Sequence, residues 1–203
     1  MSKLKLFAVG ILGVGLFAGV ASAAITGSAH DFAAQGWSTG QICLPCHTPH
    51  NALGTLAPLW NHATTASTFT VYSSTTLNAV PGQPTGTSKA CLSCHDGTVG
   101  LEAFGGVATN VNHPGASKVL GTDLSNDHPV SFTYDAALVT ADGGLKNLTD
   151  STGVAGKPLV SNLLFSGKVE CASCHDVHNK YTQSKLLLKS NANSALCLTC
   201  HSK

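Results

Sequence analysis

The chain has 203 residues, of which 10% are charged and 6% aromatic, and it contains 21 Gly, 8 Cys and 10 His. Its formal net charge is +1 and every basic side chain is Lys, which excludes a strongly basic nucleic-acid or membrane-binding surface. The aromatic content is too low for an ordinary hydrophobic core. We therefore expect other groups to fill the interior.

Residues 1–23 have the pattern of a secretory signal peptide. Lys3 and Lys5 precede an uncharged run over residues 6–20, and the small residues at 21–23 provide a cleavage site before Ala24. A membrane anchor is the alternative, but the run is shorter than the roughly 20 apolar residues of a spanning helix. We therefore expect an exported protein, periplasmic to cell-surface or extracellular, with no transmembrane segment in the mature chain.

All eight cysteines lie in four copies of the motif Cys-x-x-Cys-His, numbered here in chain order. The four motifs contain Cys43, Cys46 and His47; Cys91, Cys94 and His95; Cys171, Cys174 and His175; and Cys197, Cys200 and His201. Two thiols at this spacing on a helical turn can form thioethers with the two vinyl groups of one porphyrin, and the adjacent His can bind the iron. The pattern predicts four covalently bound haem c groups.

Three other interpretations of the cysteines are weaker. Paired Cys-x-x-Cys units can bind zinc, but a four-sulfur zinc site does not need a His after each pair. A thiol-redox motif would occur once, in a thioredoxin-like strand and helix. Disulfides are common in exported chains, but here no cysteine falls outside the haem spacing.

The predicted fold class is a mostly irregular, coil-rich multihaem cytochrome c with short helical turns at the haem motifs and few short strands. Four haems leave about 45 residues of mature chain for each, too few to enclose every porphyrin separately. We therefore expect the haems to pack against one another as a chain that forms the core. Elsewhere we predict one longer helix near residues 181–189 and short strands near residues 68–72 and 130–134.

The histidine of each motif supplies the fifth iron ligand, and further histidines are available for the sixth. The single methionine is Met1, which leaves with the signal peptide, so a Met ligand is excluded. Six histidines remain for four positions, which favours two His ligands at every iron. The six are His30, His50, His62, His113, His128 and His178.

The order of the histidines predicts an internal duplication of a di-haem unit, with an N-terminal unit over residues 24–110 and a C-terminal unit over residues 111–203. In each unit one histidine precedes the first motif and another follows it closely. The predicted distal ligands are therefore His30, His50, His128 and His178. His62 and His113 have no counterpart in the other unit, so we expect them at the surface or beside haem propionates.

His50 and His178 each follow a motif histidine by three residues. On a helical turn a residue three positions further on lies on the same side of the porphyrin, so it cannot reach the opposite face of the same iron. His50 and His178 are therefore each predicted to bind the iron of a different haem. Since the chain has no Arg, we expect haem propionates to rely on Lys, backbone amides, water or bound cations such as Ca²⁺.

Longer segments around the motifs carry a resemblance to a known group of proteins. These segments are residues 28–32, 42–51, 58–61, 91–97, 124–132 and 169–178. They resemble exported bacterial cytochromes with a doubled Cys-x-x-Cys-His domain, and are most similar to the tetrahaem OmcE-type cytochromes that polymerise into extracellular filaments. The resemblance implies a helical homopolymer with a continuous haem chain. It also implies that His50 ligates a haem of the neighbouring subunit.

The sequence thus predicts an electron-transfer protein and not an enzyme: a filament subunit that conducts electrons through four haems with two His ligands each. Its redox partners would lie outside the cytoplasmic membrane, and no nucleic-acid partner is expected. A monomeric periplasmic tetrahaem shuttle is the alternative. A multihaem oxyanion reductase is a further one, but it needs an iron with an open position, and the absence of Arg argues against bidentate oxyanion binding.

Overall fold

The computed structural model describes residues 25–53 and 56–202. The predicted signal peptide lies outside these residues. Within them most of the chain forms turns and irregular loops, with a few short helices and strands. The prediction of a coil-rich chain is therefore confirmed, whereas the haem core and the two di-haem repeats stay predictions.

Two α-helices occur in the described part of the chain. Helix α1 spans Gly86–His95 and carries the second motif on its C-terminal half. Helix α2 spans Ala136–Asp142, where the Asp135 side chain accepts a hydrogen bond from Leu138 N at 2.9 Å and Gly143 ends the helix in the left-handed conformation. The shorter 3₁₀ turns are Gly36–Ser38, Ala116–Lys118, Val160–Leu163, Cys171–Ser173, Ser184–Leu186, Ala192–Ser194 and Cys197–Thr199.

Four short strands form two antiparallel pairs. Strand β1 (Phe132–Thr133) pairs with β4 (Lys168–Val169), and β2 (Ser151–Val154) pairs with β3 (Lys157–Leu159). The strand predicted near residues 130–134 is therefore present as β1. The one predicted near residues 68–72 contributes only a single bridge, between Thr70 and Asp123.

The prediction of a longer helix near residues 181–189 is wrong. Only the 3₁₀ turn Ser184–Leu186 occurs there, and Lys185 and Leu186 have positive φ values of 57° and 56°. The Lys185 carbonyl accepts a hydrogen bond from Nδ1 of His175 at 2.9 Å. The segment therefore wraps around the third motif, and this tertiary contact overrides its helix propensity.

Buried apolar side chains form three small clusters instead of one continuous core. Cluster A contains Phe132, Tyr134, Leu138, Val160 and Val169; cluster B contains Phe69, Leu92 and Leu124; cluster C contains Val154, Leu163 and Leu188. Cys200 packs against both cluster A and cluster C. Clusters of this size remove little apolar surface from water, so the fold needs further stabilisation.

The N-terminal and C-terminal halves of the chain pack against each other. Thr70 N donates to Thr122 O at 2.9 Å, and Leu124 N donates to Thr70 O at 2.8 Å. A second junction joins the start of α1 to the segment before Cys171, where Cys171 N donates to Ser88 Oγ at 2.9 Å. In the part of the chain that is described, no helix has the length and apolarity needed to cross a membrane.

Candidate haem sites

Each motif folds as one helical turn that brings its two thiols and its histidine together. The backbone N of His47 donates to Cys43 O at 2.8 Å, and His175 and His201 make the same bond four residues back, at 3.0 Å each. The second motif forms the last turn and a half of α1. This geometry places both cysteines of a motif along one side of the turn, as attachment to one porphyrin edge requires.

Backbone carbonyls orient three of the four motif histidines. Nδ1 lies 2.6 Å from Pro58 O in His47, 2.8 Å from Lys118 O in His95, and 2.9 Å from Lys185 O in His175. A carbonyl only accepts, so Nδ1 carries the proton and donates it. The lone pair is then on Nε2, and the ring is held for metal binding as in other histidine-ligated metal sites.

Three pairs of imidazole rings lie at the separation that two axial ligands of one iron require. With about 2 Å from the metal to each nitrogen and about 1.1 Å from nitrogen to ring centre, the two ring centres would be about 6.2 Å apart. The observed centroid distances are 6.0 Å for His30 and His95, 6.2 Å for His47 and His178, and 6.3 Å for His128 and His201. The geometry of these residues therefore fits iron held between two histidines, and it supports one particular pairing at three motifs.

His30 is present as the neutral imidazole that iron requires. Burial, followed by repulsion from His95 and His175, lowers its pKa to about 4. Its Nδ1 is buried and has no hydrogen-bond partner. The ring therefore keeps a lone pair close to His95 at neutral pH.

The histidine of the third motif, His175, has no such companion in the described part of the chain. No ring contact joins it to another histidine within residues 25–53 and 56–202. His50, the remaining predicted distal ligand, is exposed and makes no ring contact in the same part of the chain. The structure thus brings three of the four predicted distal histidines next to a motif histidine, and it shows no ring contact between His50 and His175.

His62 and His113 differ from each other in their surroundings. His113 is exposed, whereas His62 is only 2% exposed, so His62 does not take the surface position, and its other expected place, beside a haem propionate, stays a prediction. Its Nδ1 lies 2.7 Å from Ala63 O and its Nε2 3.0 Å from Gly100 O. Both ring nitrogens face carbonyl oxygens, which leaves neither for iron, and the ring packs 3.6 Å from Cys94 Sγ.

The eight thiols are not joined as disulfides. Burial, with a smaller contribution from nearby charges, raises the pKa of Cys46 to about 11, that of Cys94 to about 12 and that of Cys174 to about 11. These thiols are protonated at neutral pH and therefore poor nucleophiles in the folded chain. Among the described residues, no three His, Cys, Asp or Glu side chains converge as a metal site.

Cysteines of different motifs lie close enough to shift one another's pKa, which shows which motifs are neighbours. Cys46 of the first motif acts electrostatically on Cys94 of the second. The Cys91 thiol donates to Cys171 of the third motif, which raises the pKa of Cys91 and lowers that of Cys171. Cys174 in turn is influenced by Cys200 of the fourth motif. Successive motifs are therefore neighbours, first to second, second to third and third to fourth.

Two buried donors beside the motifs lack a partner within the described residues. Trp60 Nε1 is buried, and its ring centre lies 6.5 Å from that of His47. Thr87 Oγ1 is buried at the start of the helix that carries the second motif. Buried polar atoms are rarely unsatisfied, and a haem propionate is the kind of acceptor that would satisfy each of them.

Comparison with known families agrees with this geometry. The family described as doubled CXXCH motif matches residues 165–203, which contain the third and fourth motifs. No protein with a curated description matches the chain. The match supports a multihaem c-type cytochrome, a class of exported electron-transfer protein with iron in covalently bound haem c, although some of its members are reductases.

Proposed function

We propose that the chain is the subunit of an extracellular cytochrome filament that conducts electrons through four haem c groups, each with two histidine ligands. When bound, haem supplies an iron that alternates between the ferric and ferrous states. The chain's role is to attach, ligate and align these groups. The neighbouring positions of successive motifs support a continuous electron path.

The histidine pairs support conduction over catalysis. In the pairs around His47, His95 and His201, a second imidazole lies where it would bind iron in place of a substrate when haem is attached. A reductase needs an iron with an open position, and the chain has no Arg to hold an oxyanion. An electron conduit requires only that ligands stay in place while the oxidation state changes.

The observation that carries the filament proposal is the separation of His50 from His175. His30 with His95 and His128 with His201 are equivalent pairs in the two predicted units. The pair of His47 with His178 joins the two units, and its equivalent by duplication is His175 with His50. Because one chain does not bring these two together, we infer that a neighbouring subunit supplies His50.

Such a contact is head to tail, because the donor and the acceptor are different parts of the same surface. Heterologous contacts of this kind continue indefinitely unless their rotation closes a ring. Coordination by His50 would therefore both complete the iron and extend the polymer. A filament of this kind needs room to extend, so the proposal includes a location at the cell surface or outside the cell.

The test compares His50→Ala with His113→Ala, since both histidines are exposed. Wild type and His113→Ala should be filaments by electron microscopy, whereas His50→Ala should elute as a single haem-loaded chain with one iron that binds carbon monoxide. A wild-type protein that elutes as one chain with four low-spin irons would be the shuttle. A strong high-spin ferric signal from the resting wild-type filament would favour the reductase.

A further inference from the structure

Glu170 is a buried carboxylate that no cation contacts directly in the described part of the chain. It is 2% exposed, and its Oε1 accepts from Thr85 Oγ1 at 3.0 Å while Oε2 accepts from Ser131 Oγ at 2.8 Å. Within the described part of the chain, the contact of 4.0 Å or less between a carboxylate and a basic side chain joins Asp176 to His178 and does not involve Glu170. The nearby Lys168 ammonium reaches Glu170 only through Thr85, whose Oγ1 it contacts at 3.5 Å. Glu170 is therefore bonded directly by two hydroxyl groups and by no Lys.

This carboxylate lies at the junction of the second and third motifs. Thr85 is the residue before α1, which carries the second motif, and Glu170 directly precedes Cys171 of the third. Cys171 N donates to Ser88 Oγ in α1 at 2.9 Å, and the thiols of Cys91 and Cys171 are hydrogen bonded. The two central haems would thus be attached on either side of one buried negative charge.

We propose that the Glu170 carboxylate lowers the reduction potentials of the haems at the second and third motifs below those at the first and fourth. Ferric haem carries one more positive charge than ferrous haem, so a nearby anion stabilises the oxidised state. Burial weakens the solvent screening of this charge, and charge and burial near the cofactor are determinants of haem potential. The proposal rests on the four-haem chain proposed above.

The experiment measures the four potentials by stepwise reduction of the purified holoprotein, followed by electron paramagnetic resonance, in which each low-spin ferric signal disappears as its haem is reduced. The signals of the second and third motifs are assigned as those that change in His30→Ala and His50→Ala. Glu170→Gln keeps the size of the side chain and one carbonyl acceptor but removes the charge. Two potentials, those of the central haems, should become more positive, and the low-spin spectrum should be unchanged.

Two control variants separate charge from structure. Asp123→Asn removes the same charge from an exposed side chain and should leave all four potentials unchanged, because solvent and salt screen it. Thr85→Val removes one hydrogen bond to Glu170 but keeps the carboxylate. It should lower the free energy of unfolding, and the reduction potentials of the two central haems should remain the lowest of the four. If Thr85→Val shifted the potentials as Glu170→Gln does, local geometry and not charge would set them, and the proposal would be overturned.

The remaining outcomes decide between this proposal and the function it rests on. A Glu170→Gln protein with four haems and unchanged potentials overturns the role of Glu170 alone. If that variant does not assemble, the test is the order in which the four haems of the wild-type protein are reduced. Reduction of the central haems before the outer ones contradicts the proposal. A wild-type mass with fewer than four haems contradicts the proposed conduit instead.

Discussion

Replacement of His178 by Ala should remove one sixth ligand and leave the other three irons unaffected. The ring of His178 lies 6.2 Å from that of His47 between centroids, at an interplanar angle of 18°, and its side chain is half exposed. A small residue there should not disturb cluster A, B or C. The structure therefore predicts one altered iron in each chain, that of the first motif.

The size of the effect follows from the ligand count. Reduced His178→Ala should bind one carbon monoxide per chain more than wild type, because only the iron above His47 gains an open position. The ferric protein should lose one low-spin signal. That signal should be of the ordinary rhombic type, since nearly parallel imidazole planes split the iron d orbitals strongly.

Ring orientation gives an internal control in the same spectrum. His128 and His201 lie at 76° to each other, and nearly perpendicular planes produce a low-spin signal with an unusually large principal g value. This signal should persist in His178→Ala. Electron paramagnetic resonance and carbon monoxide titration of His178→Ala and His113→Ala are the assays. Failure of His178→Ala to bind the additional carbon monoxide, or loss of the large-g signal, would refute the assignment.

Two further predictions concern stability, measured as the free energy of unfolding of the holoprotein in denaturant. Tyr134 is 2% exposed and its hydroxyl donates to Lys146 O at 2.7 Å, so Tyr134→Phe should cost about 1–3 kcal/mol by leaving a buried acceptor unpaired; Tyr181→Phe, at a partly exposed bond, should cost less. Leu92 and Leu198 occupy the same place in their motifs but are 1% and 40% exposed, so Leu92→Ala should cost about 2–5 kcal/mol and Leu198→Ala far less. Equal losses within either pair would show that burial does not govern these sites.

The motifs were readable from sequence because haem attachment is a local requirement. Two thiols and one histidine must share a single turn, and this spacing is visible along the chain whatever the surrounding fold. Coil-rich structure was also predictable, since few stretches have a sustained helical or strand period. The candidate distal ligands could be narrowed by counting, because no Met and only six further histidines were available.

The pairing of ligands and the support of the motif histidines could not be read in this way. The carbonyls that bind Nδ1 of His47, His95 and His175 lie 10 to 23 residues away along the chain. Every residue has a carbonyl, so side-chain identity carries no signal for this role. The burial of His62 was missed for a similar reason, because its Nε2 faces Gly100 O, a backbone oxygen 38 residues away that only the folded chain brings to the ring.

Cys200 packs against residues that precede it by many positions along the chain, and this affects the order in which the protein can fold. It packs against two of the three apolar clusters, and the fourth motif, to which it belongs, follows the others along the chain. A polypeptide exported from its N-terminus would therefore expose its first three motifs before Cys200 could complete the packing of clusters A and C. This order gives the attachment machinery access to thiols that become buried and unreactive once the protein has folded.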